Sequence, residues 1–492
     1  MGQEKHEIMT PLIIYDDTMK KREAIREVIG DRGFADVVIR KKTLASYYEE
    51  AVRRVVPQAK WQVLRSVYEV PELSQQLRKA PLDARVLHCF ADVMVTDTEQ
   101  AGLTWQKLSF IEEPYRVVAD GQCVAVMFPR LADYLAFLER VRPDRTTRAA
   151  AEGIAPAMPI EGTLDISRTE TFIQCITGNF DARYFNSVHG GDITLVKSST
   201  NRRKIRAEYT YYQLLPDDMK MWFVQPFDYQ EDAQTASYRM EHLHITDLAI
   251  KWVHGAIAPA DFPAVLDSYF TFFRSRHARP VAREAYQKTA DALYVEKVRR
   301  RIAELKALPQ YQKIAAILQA TDGSTIDALA DRYFRLKARI EARQAYPLVS
   351  VIGHGDPCFA NTLYHHPTQM MKFIDPRGAL DEQELWTDPY YDVAKLSHSI
   401  CGNYDFFNNG LFDIKIDAGF RCQLVIDFDR APYVKLFRAA LEENGYDYLT
   451  VRIYEASLFL SMLPLHIDNP HKVFGFLLNA RDILEEVERD AQ

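Results

Sequence analysis

Along the first 140 residues, runs rich in Val, Ile and Tyr alternate with helical repeats. PLIIYDD (11–17), DVVIRKK (36–42), RVLHCFADVMVTD (85–97) and YRVVADGQCVAVMF (115–128) read as strands. TMKKREAIREVIGDRG and PELSQQLRKA between them carry helical patterns. This alternation predicts an α/β domain over residues 1–145. RPDRTTRAAAEGIAPAMPIEGT (142–163) then breaks the periodicity and reads as a linker or boundary. Residues 160–245 carry short strands and turn signals. RYFNSVHGGDITLVKSS reads as a hairpin turning at His189–Asp192, and KIRAEYTYYQLLP as a helix ending before Pro216. From 246 to 492 apolar positions recur mostly at 3.6-residue spacing, and a strand pair near 348–375 interrupts them.

At 492 residues the chain is too long for one core, which favours two or three domains. A net charge of −7 argues against a general nucleic-acid binder, whose phosphate contacts need a basic face. Two basic runs, NRRKIR (201–206) and KVRRRIAELK (297–306), stand out, and the second reads as a solvated helix face. The six cysteines lack CxxC spacing or His partners, which fits reduced thiols better than disulfides or a zinc site. The start, MGQEKHEIMT, has no apolar signal core, and His6 stands where a myristoylation signal needs Ser or Thr. No apolar stretch is long enough to span a bilayer. Cytoplasmic location and no membrane insertion are therefore expected; oligomeric state is left open.

The chemistry concentrates in VIGHGDPCFANTLY (351–364) and MKFID (371–375). Phosphoryl transfer needs a base near the acceptor hydroxyl, oxygen ligands for Mg²⁺ and a cation on the nucleotide phosphates. Asp356, on a tight loop after a strand, offers the base. MKFID would pair with NTLYH as a hairpin, bringing Asp375 beside Asn361 so that both converge on one ion. Hard oxygen donors of this kind suit Mg²⁺.

HGDPCFAN followed by FIDPRG and DPYYDVAKL resembles the catalytic and metal-binding segments of the aminoglycoside phosphotransferase and choline kinase family, relatives of protein kinases. His354, Asp356 and Asn361 match the pattern H-x-D-x-x-x-x-N. Asp375 matches the later Asp, and Asp388, Asp392 and Ala394 match D-P-x-x-D-hydrophobic-A. The resemblance implies an α+β protein-kinase-like bilobal domain, with a small β-rich N-lobe over 160–245 and a large helical C-lobe over 246–492. It further implies ATP and Mg²⁺ as cofactors and a strand lysine paired with a helix glutamate, for which Lys197 and Glu208 are placed. Glu241, His242 and Leu243 fall where an interlobe hinge would bind adenine. TGNFDARYF (177–185), with a single Gly, falls where a phosphate-covering loop belongs. His354 is expected to brace the loop, and Asp392 to cap a helix and hold loop N–H groups.

RVLHCFADVMVTD also resembles the central strand and acidic turn of sugar nucleotidyltransferases, which would make Asp92 or Asp97 a metal-binding residue. The Gly-rich signature of that family is absent, and the first domain is expected to lack its catalysis. The expected function is therefore a small-molecule kinase acting on a hydroxyl, most simply of a sugar or sugar derivative, by analogy in capsular or cell-surface polysaccharide synthesis. The alternatives are a choline- or aminoglycoside-type kinase and a nucleotide-binding pseudokinase scaffold. Trp386, Tyr390, Tyr391, Tyr404, Phe406 and Phe407 read as C-lobe core, or else as walls of an acceptor pocket.

Overall fold

The computed structural model describes residues 11–39, 41–144, 146–177, 187–190, 193–343, 348–419 and 421–491, of which 187–190 and Asp322 are described by backbone alone. The chain divides into two compact units, Met1–Phe180 with His254–Ala256, and Asp181–Val253 with Ile257–Gln492.

The first unit is built on a mixed six-stranded sheet. Strand Leu12–Asp16 runs parallel to both Lys60–Leu64 and Val86–Phe90. Antiparallel Gln122–Phe128 and Tyr115–Ala119 continue the sheet, and parallel Ala157–Pro159 closes its edge. Asp120 (φ 48°) and Gly121 (φ 80°) make the turn of the Tyr115–Phe128 hairpin, where two left-handed residues match the strand twist. The central strands are apolar on both faces (Ile13, Ile14, Val86, Leu87 and Val124–Val126 are buried), because helices such as Leu44–Val55 and Leu131–Leu138 supply apolar cover.

Three sequence expectations change here. DVVIRKK does not enter the sheet; Val38–Ile39 and Lys42–Thr43 pair only with each other. RVLHCFADVMVTD is two strands, the second of which, Val93–Val95, pairs with Thr163–Asp165. The stretch 142–163 is not a linker. It contains helix Thr147–Ala151 and strand Ala157–Pro159, and the Thr147 hydroxyl donates to the buried Asp16 carboxylate. Its Pro and Gly residues punctuate short elements, and the N-lobe start expected at 160 moves accordingly, since Thr163–Asp165 pairs within the first unit.

The second unit opens with a four-stranded antiparallel sheet, in the order Ser187–Gly190, Thr194–Ser199, Ala236–Glu241, Pro226–Glu231. Helix Arg202–Leu214 lies against it. Asn201 caps its first turn by accepting from the Lys204 N–H at 3.2 Å, and Ile205, Glu208 and Tyr211 form its buried stripe. The rest is helical, with a large apolar core drawn from Phe262–Ser275, Ile326–Glu341, Pro389–Ile400, Tyr448–Met462 and Pro470–Asp490. The hairpin expected from NTLYH and MKFID forms, with Thr362 opposite Phe373 and His365 opposite Met370. Ala278–Pro280, which the helical reading of its neighbourhood hides, pairs with Val349–Ile352. All six cysteines are buried and none is in a disulfide. Among the described residues, no helix is long and apolar enough to cross a membrane.

Candidate active site

The catalytic-loop candidate leaves strand Val349–Ile352 and is held from three sides. Asp392 is fully buried and accepts from the His354 N–H at 2.9 Å and the Gly355 N–H at 2.8 Å, while Arg276 donates to it at 3.2 Å. It does not cap its helix. Asp388 does, by accepting from the Tyr390 N–H at 2.8 Å, and this frees Asp392 to face the loop. His354 Nδ1 accepts from the Asp356 N–H at 3.0 Å, so Nε2 must carry the proton it donates to Ile374 O at 3.0 Å. Burial holds the His354 pKa below its ordinary value, which keeps the ring neutral in this two-way brace. Gly355 sits at φ 83°, and a Cβ there would lie 2.5 Å from Arg377 Cβ. Only glycine fits without a shift.

Asp356 therefore projects from a rigid turn, with its side chain 38% exposed and its Oδ1 3.0 Å from Lys395 Nζ. Desolvation would raise its pKa, but the Lys395 ammonium, with His354 and Lys297 beyond it, holds it below the usual carboxylate value. A carboxylate so held is ionised at neutral pH and can accept a hydroxyl proton.

Asn361 is 6% exposed; its side-chain amide donates to Asp356 O at 2.9 Å, and its backbone carbonyl accepts from the Ile374 N–H at 3.0 Å. These bonds tie Asn361 both to the base loop and to the residue preceding Asp375. Asp375 lies at φ 56°, and Lys197 Nζ stands 2.6 Å from its Oδ1 and 2.6 Å from Glu208 Oε2. Tyr238 donates its hydroxyl to the same Glu208 oxygen at 3.1 Å. Burial works against the ammonium, yet Asp375 and Glu208 together hold the Lys197 pKa above its ordinary value. The helix presses close behind this segment, because a Cβ at Gly378 (φ 88°) would lie 2.8 Å from the Ala207 carbonyl carbon.

Among the described residues no group of three or more His, Cys, Asp or Glu is arranged to hold a metal. The donor set fits Mg²⁺ in another way, since one carboxylate and one carboxamide leave most of an octahedron to water and phosphate oxygens. A divalent ion there would neutralise charge on a triphosphate.

Of the hinge residues, His242 is already committed. Its N–H donates to Ile193 O at 3.0 Å, so it does not serve as an adenine donor. The antiparallel alternation puts the backbone groups of Glu241 on the strand's other edge. The rings of His242 and His244 lie 3.9 Å apart. The phosphate-loop candidate, residues 177–185, lies outside the described residues apart from Thr177. Lys395 was missed by motif reading. Its signal was its position directly after Ala394 in DPYYDVAKL, on a helix packed under the loop.

In the first unit, Asp92 binds Arg148 through both oxygens at 2.6 and 2.5 Å, and Asp97 caps helix Thr98–Gln106. Both carboxylates thus have internal work, which argues against the metal role the nucleotidyltransferase resemblance implied.

No protein-family model and no curated protein matches the chain. Solved structures do. An aminoglycoside phosphotransferase in ternary complex with ADP and hygromycin B aligns at 12% identity over 62% of this chain and 92% of its own, with a TM-score of 0.37. An aminoglycoside phosphotransferase from Streptomyces rimosus in complex with ADP and streptomycin aligns at 17% identity over 56% and 86%, TM-score 0.33. Ethanolamine kinase from Plasmodium vivax aligns at 10% identity over 64% and 86%, TM-score 0.31. At these scores the likeness carries no weight of its own, and the functional reading rests on the side-chain geometry.

Proposed function

We propose that this chain is an ATP- and Mg²⁺-dependent phosphotransferase that phosphorylates a hydroxyl of a small metabolite, a sugar or sugar derivative being the simplest acceptor. The observation that carries this reading is the ammonium of Lys197, held 2.6 Å from both Glu208 and Asp375, with Asn361 hydrogen-bonded to the residue beside Asp375. Lys197, oriented by Glu208, neutralises nucleotide phosphates. Asn361 and Asp375 hold the metal ion on them. Asp356 orients the acceptor hydroxyl and takes its proton, and His354 and Asp392 keep the loop in shape. Glu241 O and Leu243 N–H receive the adenine edge. A role in capsular or cell-surface polysaccharide synthesis belongs to the same proposal.

A nucleotide-binding pseudokinase is the second reading. The low pKa direction of Asp356 disfavours it, since a scaffold has no need of an ionised base poised beside a lysine. Substrate-stimulated ADP release across sugars, aminoglycosides and amino alcohols tests the choice. The phosphotransferase reading requires release with at least one acceptor and its loss in Asp356→Ala. Mg·ATP stabilisation without release from any acceptor would favour the scaffold.

A further inference from the structure

The surroundings of Asp356 are basic. Lys395 contacts it at 3.0 Å, and Lys297 donates to the Tyr391 hydroxyl at 3.0 Å, one helical turn before Lys395. Arg377, whose backbone N–H bonds to His354 O at 2.9 Å, packs against Gly355, the residue before Asp356. Its guanidinium lines an open groove of about 780 Å³. Arg203, Lys204 and Lys288 line the same groove, and Glu384 is the acid among its lining residues. Glu384 is partly spent on the Leu380 N–H at 2.7 Å. Among the described residues Arg203, Lys288 and Arg377 form no ion pair with a carboxylate. Leu293 also lines the groove, and Lys297, four residues further on, is among the cations whose charge acts on Asp356.

The aromatic faces tell the same story. Arg279 stacks over Trp386 at 4.2 Å and Lys297 lies over Tyr391 at 5.5 Å, so a cation of the protein already covers one face of each of these rings. Asp405, an acid that feels the Asp356 charge, is fully buried and its carboxyl is pushed up to about 7, chiefly by burial.

Resting on the phosphotransferase reading, we infer that the acceptor is an anion, a hydroxyl compound whose phosphate or carboxylate docks in the groove lined by Arg203, Lys204, Lys288 and Arg377. The groove fixes one end of the acceptor and leaves its hydroxyl for Asp356. In the transfer, the acceptor oxygen forms a bond to the γ-phosphorus, the bond from that phosphorus to the bridging oxygen breaks, ADP leaves, and the hydroxyl proton passes to Asp356.

Calorimetric titration of the full chain, with and without Mg·AMP-PNP, tests this with glucose 6-phosphate, gluconate, inorganic phosphate, glucose, choline and kanamycin. At least one of the two anionic hydroxyl compounds should bind tenfold or more tightly than glucose, choline or kanamycin, and more tightly than inorganic phosphate. The double variant R203A/K288A should weaken that binding at least tenfold while leaving Mg·ATP stabilisation unchanged. Preference for choline or kanamycin, equal binding of all probes, no binding of either anion, or an unaffected double variant would each overturn it. Absence of Mg·ATP stabilisation in the unaltered chain would instead sink the phosphotransferase reading, and the nucleotide-free titration separates the two failures.

Discussion

Lys395 sets the working state of Asp356. Without its ammonium, the largest influence opposing desolvation is gone, and the Asp356 pKa must rise. Lys395→Met should therefore move the acid limb of kcat/KM to higher pH. The direction follows because a higher pKa leaves the base protonated to higher pH. A pH–rate profile with an unmoved acid limb would show that Lys395 does not tune the base. Lys197 is the second lever. It is 2% exposed between two carboxylates, and Lys197→Ala leaves Asp375 without this cation and Glu208 with only Lys204 at 3.6 Å, at a cost of roughly 3–5 kcal/mol. Thermal unfolding should register that loss, together with the loss of stabilisation by Mg·ATP. Stability equal to the parent would mean the ion triad is not held as described. His354, Asp356, Asn361 and Asp375 were legible as candidates, because their ordered motifs resemble those of the phosphotransferase family. Lys395 was not, since a lysine on a helix is ordinarily a solvated residue and nothing local in sequence shows that its helix runs beneath the loop.

At the scale of elements, the loop and hairpin act as one rigid clamp. His354 bridges Asp356 N–H and Ile374 O, so strain at Gly355 reaches both the Asp356 loop and the strand that leads to Asp375. Gly355→Ala introduces a side chain at φ 83°, costing about 1–2 kcal/mol in backbone strain, and its Cβ would press on Arg377. The displaced Asp356 should lower kcat by about tenfold to a hundredfold while Mg·ATP affinity changes little. Steady-state kinetics with unchanged kcat would contradict the clamp. The hairpin was readable because its strands flank a short polar turn with alternating burial. Strand Ala278–Pro280 was not, because it is three residues long, contains a proline and borrows its pairing from Val349–Ile352, some seventy residues away.

For the molecule as a whole, the two units bear different loads. The first carries a buried Asp92–Arg148 pair where a metal-binding carboxylate was expected, and Asp16 shares its carboxylate with His88 and Thr147. Asp92→Ala should cost about 3–5 kcal/mol by removing the carboxylate that both terminal nitrogens of the partly buried Arg148 bind, a stability defect visible in thermal unfolding. Full stability in that variant would reopen a functional role for Asp92. Sequence reading erred at 142–163 for a physical reason. Proline and glycine mark both linkers and the ends of short packed elements, and only tertiary pairing tells them apart. The central claim is that Asn361 and Asp375 hold a divalent ion on the nucleotide while Asp356 stands apart as the base. Its most direct measurement is Mg²⁺-dependent ATP binding by calorimetry in Asp356→Ala and Asp375→Ala. The account predicts near-parental affinity in the first and at least a tenfold loss of the Mg²⁺-dependent part in the second; parental Mg²⁺-dependent affinity in Asp375→Ala would contradict it.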